Sequence, residues 1–352
     1  MAPFTWLIDQ YRPYLDLPAH TARVTLQEGH TPLIPVPTLA EDLGGGFELW
    51  VKFEGLNPTG SFKDRGMTAA ISEALGRGAQ SVICASTGNT AASAAAYAAR
   101  AGLQAIVLIP QGKVAAGKLA GALAYGAQVL QIDGSFDEAL TMVVALSEKH
   151  PLALVNSINP YRIEGQTTAA YEICDVLGQA PDWLCLPVGN AGNISAYWAG
   201  FQRYHAAQAT GLPQVLGVQA AGSAPLVLGH PVLNPETVAT AIRIGQPARG
   251  EGALLAAEES NGRIIAVTDE QILAMQKRLA SREGIWVEPA SAAGLAGLAA
   301  EIDAGRLNPR NQRIVAVCTG HGLKDPDIIT QHGLKFTTIP AQLAAVEAAI
   351  LG

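Results

Sequence analysis

In the stretch Trp183-Leu184-Cys185-Leu186-Pro187-Val188-Gly189-Asn190-Ala191-Gly192-Asn193-Ile194-Ser195, an apolar run gives way to a glycine- and asparagine-rich loop and then to a helix-forming segment. The run is continuous rather than alternating, which is the pattern of a strand buried on both faces. Gly189 and Gly192 permit close backbone approach, so the amides of residues 189–193 can converge ahead of a helix expected to begin near Ser195. Such a turn binds anions. No lysine follows it, so it is not a nucleotide P-loop, and it suits one compact phosphate ester better than a triphosphate.

The same order of strand, small-residue loop and helix recurs outward in both directions. Apolar runs at 49–53, 81–85, 105–109, 128–132, 214–218 and 314–318 read as strands, and most are followed by glycine, asparagine or serine and an alanine-rich segment. This alternation predicts an α/β fold of open, mainly parallel sheets flanked by helices, with ligands beyond the carboxyl ends of the strands. At 352 residues, two lobes are expected. A helix-like stretch from Asp133 ends at His150-Pro151, which reads as a lobe crossing. That divides the chain into a large domain of residues 1–51 and 151–352 and a small, mobile domain of 52–150. The tail 331–352 ends in an apolar helix, Leu343 to Leu351, packed on the body or on a neighbouring subunit.

Composition excludes several classes of function. Hydrophobic residues make up 49% and charged residues 15%, with a formal charge of −7 spread along the chain, so no basic nucleic-acid footprint is present. The low charged fraction hints at surface hidden in an oligomer. Cys84, Cys174, Cys185 and Cys318 each sit in an apolar run without metal-ligand spacing, as buried thiols of a reducing compartment. No secretory signal or membrane span is read, and a cytoplasmic enzyme is expected.

Three further segments bear on chemistry. Gly60-Ser61-Phe62-Lys63-Asp64-Arg65-Gly66 places Lys63 in the first turn of a helix that Ser61 can cap, where the helix dipole lowers the amine's proton affinity. Taken alone, the same residues describe a solvated lysine beside Asp64 and Arg65. In Ser86-Thr87-Gly88-Asn89-Thr90, a second strand-to-helix turn offers amides and the Asn89 side chain to a carboxylate or a ring hydroxyl. Thr319 closes the strand at 314–318 with its hydroxyl available to a ligand, and His321 lies between two glycines. Gly112 to Leu119 resembles an ATP loop but has Leu119 where magnesium needs a hydroxyl, and Gly44-Gly45-Gly46 lacks dinucleotide spacing.

Taken together these stretches resemble the threonine synthases, fold-type II pyridoxal-phosphate (PLP) enzymes related to the tryptophan synthase β subunit, over about Glu28 to Ile328. The carriers are Glu54 to Met67, Ala85 to Thr90, Asn156-Ser157-Ile158-Asn159-Pro160-Tyr161-Arg162-Ile163-Glu164-Gly165-Gln166, Pro187 to Asn193 and Thr319 to Pro326. The resemblance implies a PLP-dependent carbon–oxygen lyase with its active site between the lobes. Lys63 would carry the coenzyme and move protons, with Thr87 steering the outcome. Gly189, Asn190, Ala191, Gly192 and Asn193 would cup the coenzyme phosphate, Asn89 would meet its 3′-oxygen and Thr319 its ring nitrogen. Ser86, Thr87 and Gly88 would grip the substrate carboxylate. Asn156, Ser157, Arg162 and Asn190 would hold the phosphate of O-phospho-L-homoserine, unless Arg162 pairs with Glu164 at a lobe junction. Threonine or serine dehydratase and a non-catalytic PLP-binding regulator are the other readings. A homodimer is expected by analogy, and no metal.

Overall fold

The computed structural model describes residues 6–111, 116–330 and 337–351; the ATP-like loop therefore falls partly outside the described residues. The expected α/β architecture is present as two sheets covered by helices. The strands are β1 Leu33–Pro35, β2 Glu48–Phe53, β3 Ser81–Ala85, β4 Gln104–Pro110, β5 Gln128–Ile132, β6 Leu152–Leu154, β7 Trp183–Pro187, β8 Gln214–Ala220, β9 Arg263–Val267 and β10 Arg313–Cys318. The larger sheet runs β1-β2-β10-β7-β8-β9 and the smaller β5-β4-β3-β6. All pairs are parallel except β1 with β2. Central strands β7 and β10 are buried almost throughout, which explains their unbroken apolar sequence.

Three strands escaped the sequence reading. Two of them, β1 and β6, are three-residue edges, and β9 is the far edge of the large sheet. Strand β6 pairs with β3, so the small sheet takes a strand from beyond the expected crossing at Pro151. The C-terminal helix Leu343–Leu351 forms, but Leu343, Ile350 and Leu351 are exposed and none of its residues is buried. Of the two packings expected for it, the one on the body is not seen.

The helices that matter for the site cross at glycines. A Cβ on Gly165 would overlap the Arg65 carbonyl oxygen, and one on Gly66 would lie 2.6 Å from the carbonyl oxygen of Arg162. Helix Lys63–Gly76 therefore lies directly on helix Pro160–Leu177. A buried charge cluster clamps the pair: Arg65 donates from Nε to Glu54 at 2.7 Å and from Nη2 to Glu172 at 2.6 Å, while Lys52 Nζ meets Glu172 at 2.6 Å. Two cations against two carboxylates leave the cluster neutral. Breaking one partner would strand a buried charge, typically at a cost of about 3–5 kcal/mol. The clamp fixes where Lys63 and Arg162 emerge.

Candidate active site

A cavity of about 280 Å³ opens beyond the carboxyl ends of β3, β7 and β10, and every site residue expected from the sequence lines it. Lys63, Ser86, Thr87, Gly88, Asn89, Asn156, Ser157, Arg162, Gly189, Asn190, Ala191, Gly192, Asn193 and Thr319 are all on its wall. The fold brings them there from both sheets.

Lys63 is the first residue of its helix. The expected Ser61 cap is absent: Phe62 occupies the N-cap position, and the buried Ser61 hydroxyl has no partner. The backbone explains the difference. Ser61 bridges Gly320 in antiparallel fashion and Phe62 N–H donates to the Thr319 carbonyl at 2.9 Å, so this segment belongs to the large sheet's margin. The solvated-lysine alternative also fails. Arg65 is held in the charge cluster, and the Asp64 carboxylate accepts from the hydroxyls of Thr59 and Ser93, both at 2.6 Å. Burial pushes the Asp64 carboxyl up to about 6. Lys63 Nζ stands 4.0 Å from the Phe62 ring centroid. Burial first, then the neighbouring Arg162 charge, lower the Lys63 ammonium to about 7, against the opposing pull of Glu288. A large share of the amine is thus free near neutrality, as a nucleophilic lysine requires.

The loop after β7 turns tightly into a helix on the cavity wall. Ala191 adopts a left-handed conformation (φ 63°) and caps helix Gly192–Gln208, three residues earlier than the sequence suggested. Gly189 is closely packed: a Cβ there would approach Ile242 Cα to 3.0 Å, so the neighbouring segment would have to give by a few tenths of an ångström. Asn193 is buried with its Nδ2 unpartnered. Asn190 turns its Oδ1 to the Ala248 amide, leaving its own NH₂ for the cavity. Amide dipoles, one helix start and one orphaned donor fit the phosphate of PLP. At the far end, Thr319 Oγ1 lies 2.9 Å from Ser291 Oγ, which can donate and so leave the threonine hydrogen for a ring nitrogen. Asn89 Nδ2 donates to both oxygens of buried Glu288 at 3.1 and 3.2 Å, linking the small sheet's loop to the large domain.

The wall around Asn156 to Arg162 has a different composition. Arg162 is 1% exposed and donates from Nη1 to the Val155 carbonyl at 3.1 Å, and its Nε has no partner. The expected alternative partner, Glu164, is taken by Arg203 at 2.6 Å. No carboxylate among the described residues pairs with Arg162, and burial lowers its pKa to about 10. It remains charged at neutral pH, with no counter-ion among the described residues. Asn156 braces the β3 loop, accepting from Ala85 N–H at 3.0 Å and donating to its carbonyl at 2.9 Å, with one amide hydrogen left over. Arg249 Nε holds the Ser157 carbonyl at 3.2 Å.

His321 is not on the cavity wall. Its ring accepts from the Leu323 amide at 3.1 Å and lies between Phe53 and Trp286, so it caps a turn. The sequence reading missed Glu288, Ser291, Gln166 and the wall formed by 240–244. Only Gln166 carried a signal, as the last residue of the quoted 156–166 stretch. Among the described residues no His/Cys/Asp/Glu group could hold a metal, and no helix is long and apolar enough to cross a membrane.

Comparisons with known proteins agree with this geometry. Residues 24–320 match the family model described as pyridoxal-phosphate dependent enzyme. A threonine synthase of Synechocystis is 59% identical over 93% of this chain and 85% of its own length. One from Halalkalibacterium halodurans is 55% identical over 93% and 92%. The solved threonine deaminase isoform 2 of Solanum lycopersicum shares the fold with a TM-score of 0.73, at 24% identity over 91% of this chain and 87% of that one. The chain belongs to the pyridoxal-phosphate-dependent enzymes and, within them, to the threonine synthase family.

Proposed function

We propose that this cavity converts O-phospho-L-homoserine and water into L-threonine and inorganic phosphate. The observation that carries the choice of substrate is Arg162, a buried cation with an orphaned Nε and no carboxylate partner among the described residues, on the same cavity wall as Lys63. A dehydratase acting on threonine or serine has no substrate phosphate to satisfy such a group. A non-catalytic binder has no need of a lysine whose ammonium is lowered to about 7.

PLP, bound through Lys63, supplies an electron sink for carbanions at the substrate's α- and β-carbons. Gly189 to Asn193 hold its phosphate, Asn89 faces its 3′-oxygen and Thr319 its ring nitrogen. A hydroxyl at that nitrogen, unlike a carboxylate, does not enforce ring protonation. Ser86, Thr87 and Gly88 orient the substrate carboxylate. Arg162, Ser157, the spare hydrogen of Asn156 and the amide of Asn190 bind the γ-phosphate and stabilise its charge as it departs. Lys63, freed when the substrate amine binds, would remove the α- and β-protons, deliver one to Cγ after the phosphate leaves, and later return one to Cα. The phosphate left on Arg162 then takes the proton of the entering water.

The small domain, 52–150, is read as a lid over this chemistry; Asn89–Glu288 is a side-chain contact across the cavity that closure would make or break, while helix Lys63–Gly76 of the same span stays clamped to helix Pro160–Leu177. A cytoplasmic homodimer completes the reading. The second copy is supported by the exposed Leu228, Leu233 and Leu254, and the mass in solution tests it.

The decisive assay supplies phosphohomoserine and follows phosphate and threonine together. Equal release of both is expected. Lys63→Ala should lose the near-visible absorbance of bound coenzyme and at least about 10³-fold in turnover. Ammonia formed from threonine, with no phosphate released from phosphohomoserine, would favour the dehydratase.

A further inference from the structure

Three cavity-lining side chains keep a buried polar atom without a partner: Arg162 Nε, Asn193 Nδ2 and Gln166 Oε1. The first two are donors and suit the two phosphates assigned above. Gln166 Oε1 is an acceptor, and an anion facing it would be repelled. Its orientation is set by the backbone: Gln166 Nε2 donates to the Arg162 carbonyl at 3.0 Å, and flipping the amide would set two oxygens against each other. Gln166 is 3% exposed, so leaving this oxygen unpaired is costly. A hydrogen-bond donor belongs there.

Position narrows the choice. Gln166 lies one helical turn beyond Arg162, on the same face. Its Nε2 comes within 2.8 Å of where a Gly66 Cβ would stand, and Gly66 is one turn on from Lys63 along the neighbouring helix. The amide thus sits between the turn that carries the phosphate-binding cation and the turn that carries the proton-moving lysine. Resting on the reaction assigned above, we propose that Gln166 is a positioning residue that seats the water whose oxygen becomes the threonine hydroxyl.

A seated water needs two or more polar partners. Gln166 Oε1 accepts one of its hydrogens and a phosphate oxygen held by Arg162 accepts the other. In the addition, the water oxygen bonds Cβ of the unsaturated substrate, one O–H bond breaks toward the phosphate, and Lys63 returns a proton to Cα. Phosphohomoserine and water give threonine and phosphate, with no oxidant or reductant. If the water is not in place, the same unsaturated species is released and hydrolysed. Phosphohomoserine and water then give 2-oxobutyrate, ammonia and phosphate. Gln166 therefore governs which product forms.

The test uses coenzyme-loaded Gln166→Leu and measures phosphate, threonine and 2-oxobutyrate in one reaction with phosphohomoserine. Threonine per phosphate should fall about fivefold, with 2-oxobutyrate making up the difference. An unchanged ratio, whatever the overall rate, overturns the proposal, because a purely structural role would slow both products alike. Gln166→Met serves if the leucine variant fails to fold, as judged by its unfolding temperature. A crystal structure of the wild-type enzyme with inorganic phosphate should show an ordered water on Oε1, and Lys63 Nζ bonded there instead would also sink the idea. Wild-type protein that releases no phosphate would refute the assigned reaction rather than this role of Gln166.

Discussion

The two anion sites proposed for the cavity are built from opposite materials. The loop at 189–193 has no basic side chain: it offers amides, a helix start and the orphaned Asn193 Nδ2. The site at 156–162 is centred on Arg162, a buried guanidinium without a counter-ion among the described residues. Dipoles that are already fixed by the fold cost little to leave empty. A desolvated charge is different, since it is unfavourable until its anion arrives and strongly favourable afterwards. The first arrangement suits a resident group, and the second suits a guest whose charge must be held while it leaves.

Replacing Arg162 would break this contrast most severely. In Arg162→Leu, kcat/KM for phosphohomoserine should fall about a hundredfold or more, while coenzyme affinity stays near wild type. Thermal unfolding should stay level or improve, because an uncompensated buried charge has been removed. Coenzyme loss in step with activity would merge the two sites into one. A smaller effect is expected from Asn193→Ala, which should weaken coenzyme affinity about fivefold in equilibrium titration without raising KM for the substrate. A rise in KM instead would move Asn193 to the other site.

The mildest test is pH. If Lys63 carries the coenzyme as proposed, its free amine is the capturing form, and the folded ammonium is lowered to about 7. Capture of PLP by the apoprotein should therefore accelerate as pH rises through about 7 and then level off. In stopped-flow absorbance, a climb continuing toward the ordinary lysine range would show that burial does not tune this amine. Arg162→Leu should move the midpoint upward, because removing a nearby positive charge makes the ammonium easier to keep. That shift would measure how far the second site reaches into the first.

The parts that were legible in the sequence share one signal, an apolar strand followed by small residues and a helix. It located β3, β7 and β10 and the loops that follow them, because backbone chemistry at a strand end constrains which residues can stand there. Side chains that enter from elsewhere carry no such signal. Glu288 precedes Pro289 and looks like a helix start, yet it is buried against Asn89. Ser291 is one small residue in an alanine-rich helix, and only tertiary contact reveals its bond to Thr319. The Ser61 cap was misread for a related reason: the local pattern favoured it, but pairing with Gly320 claimed the backbone. Strands β1 and β6 are too short for any periodicity to show.

That pairing of Ser61 and Phe62 with Thr319 and Gly320 has a consequence for biosynthesis. The residue that would carry the coenzyme and the one that would face its ring nitrogen sit side by side, yet the ribosome makes them far apart in time, at positions 63 and 319. A nascent polypeptide can complete the Lys63 turn and the small sheet long before Thr319 emerges. Until then nothing fixes the lysine against the far wall of the cavity, and long-range pairing of this kind forms late. Coenzyme capture is therefore a timestamp: a chain that has taken up PLP has already been synthesised past Thr319 and closed on itself.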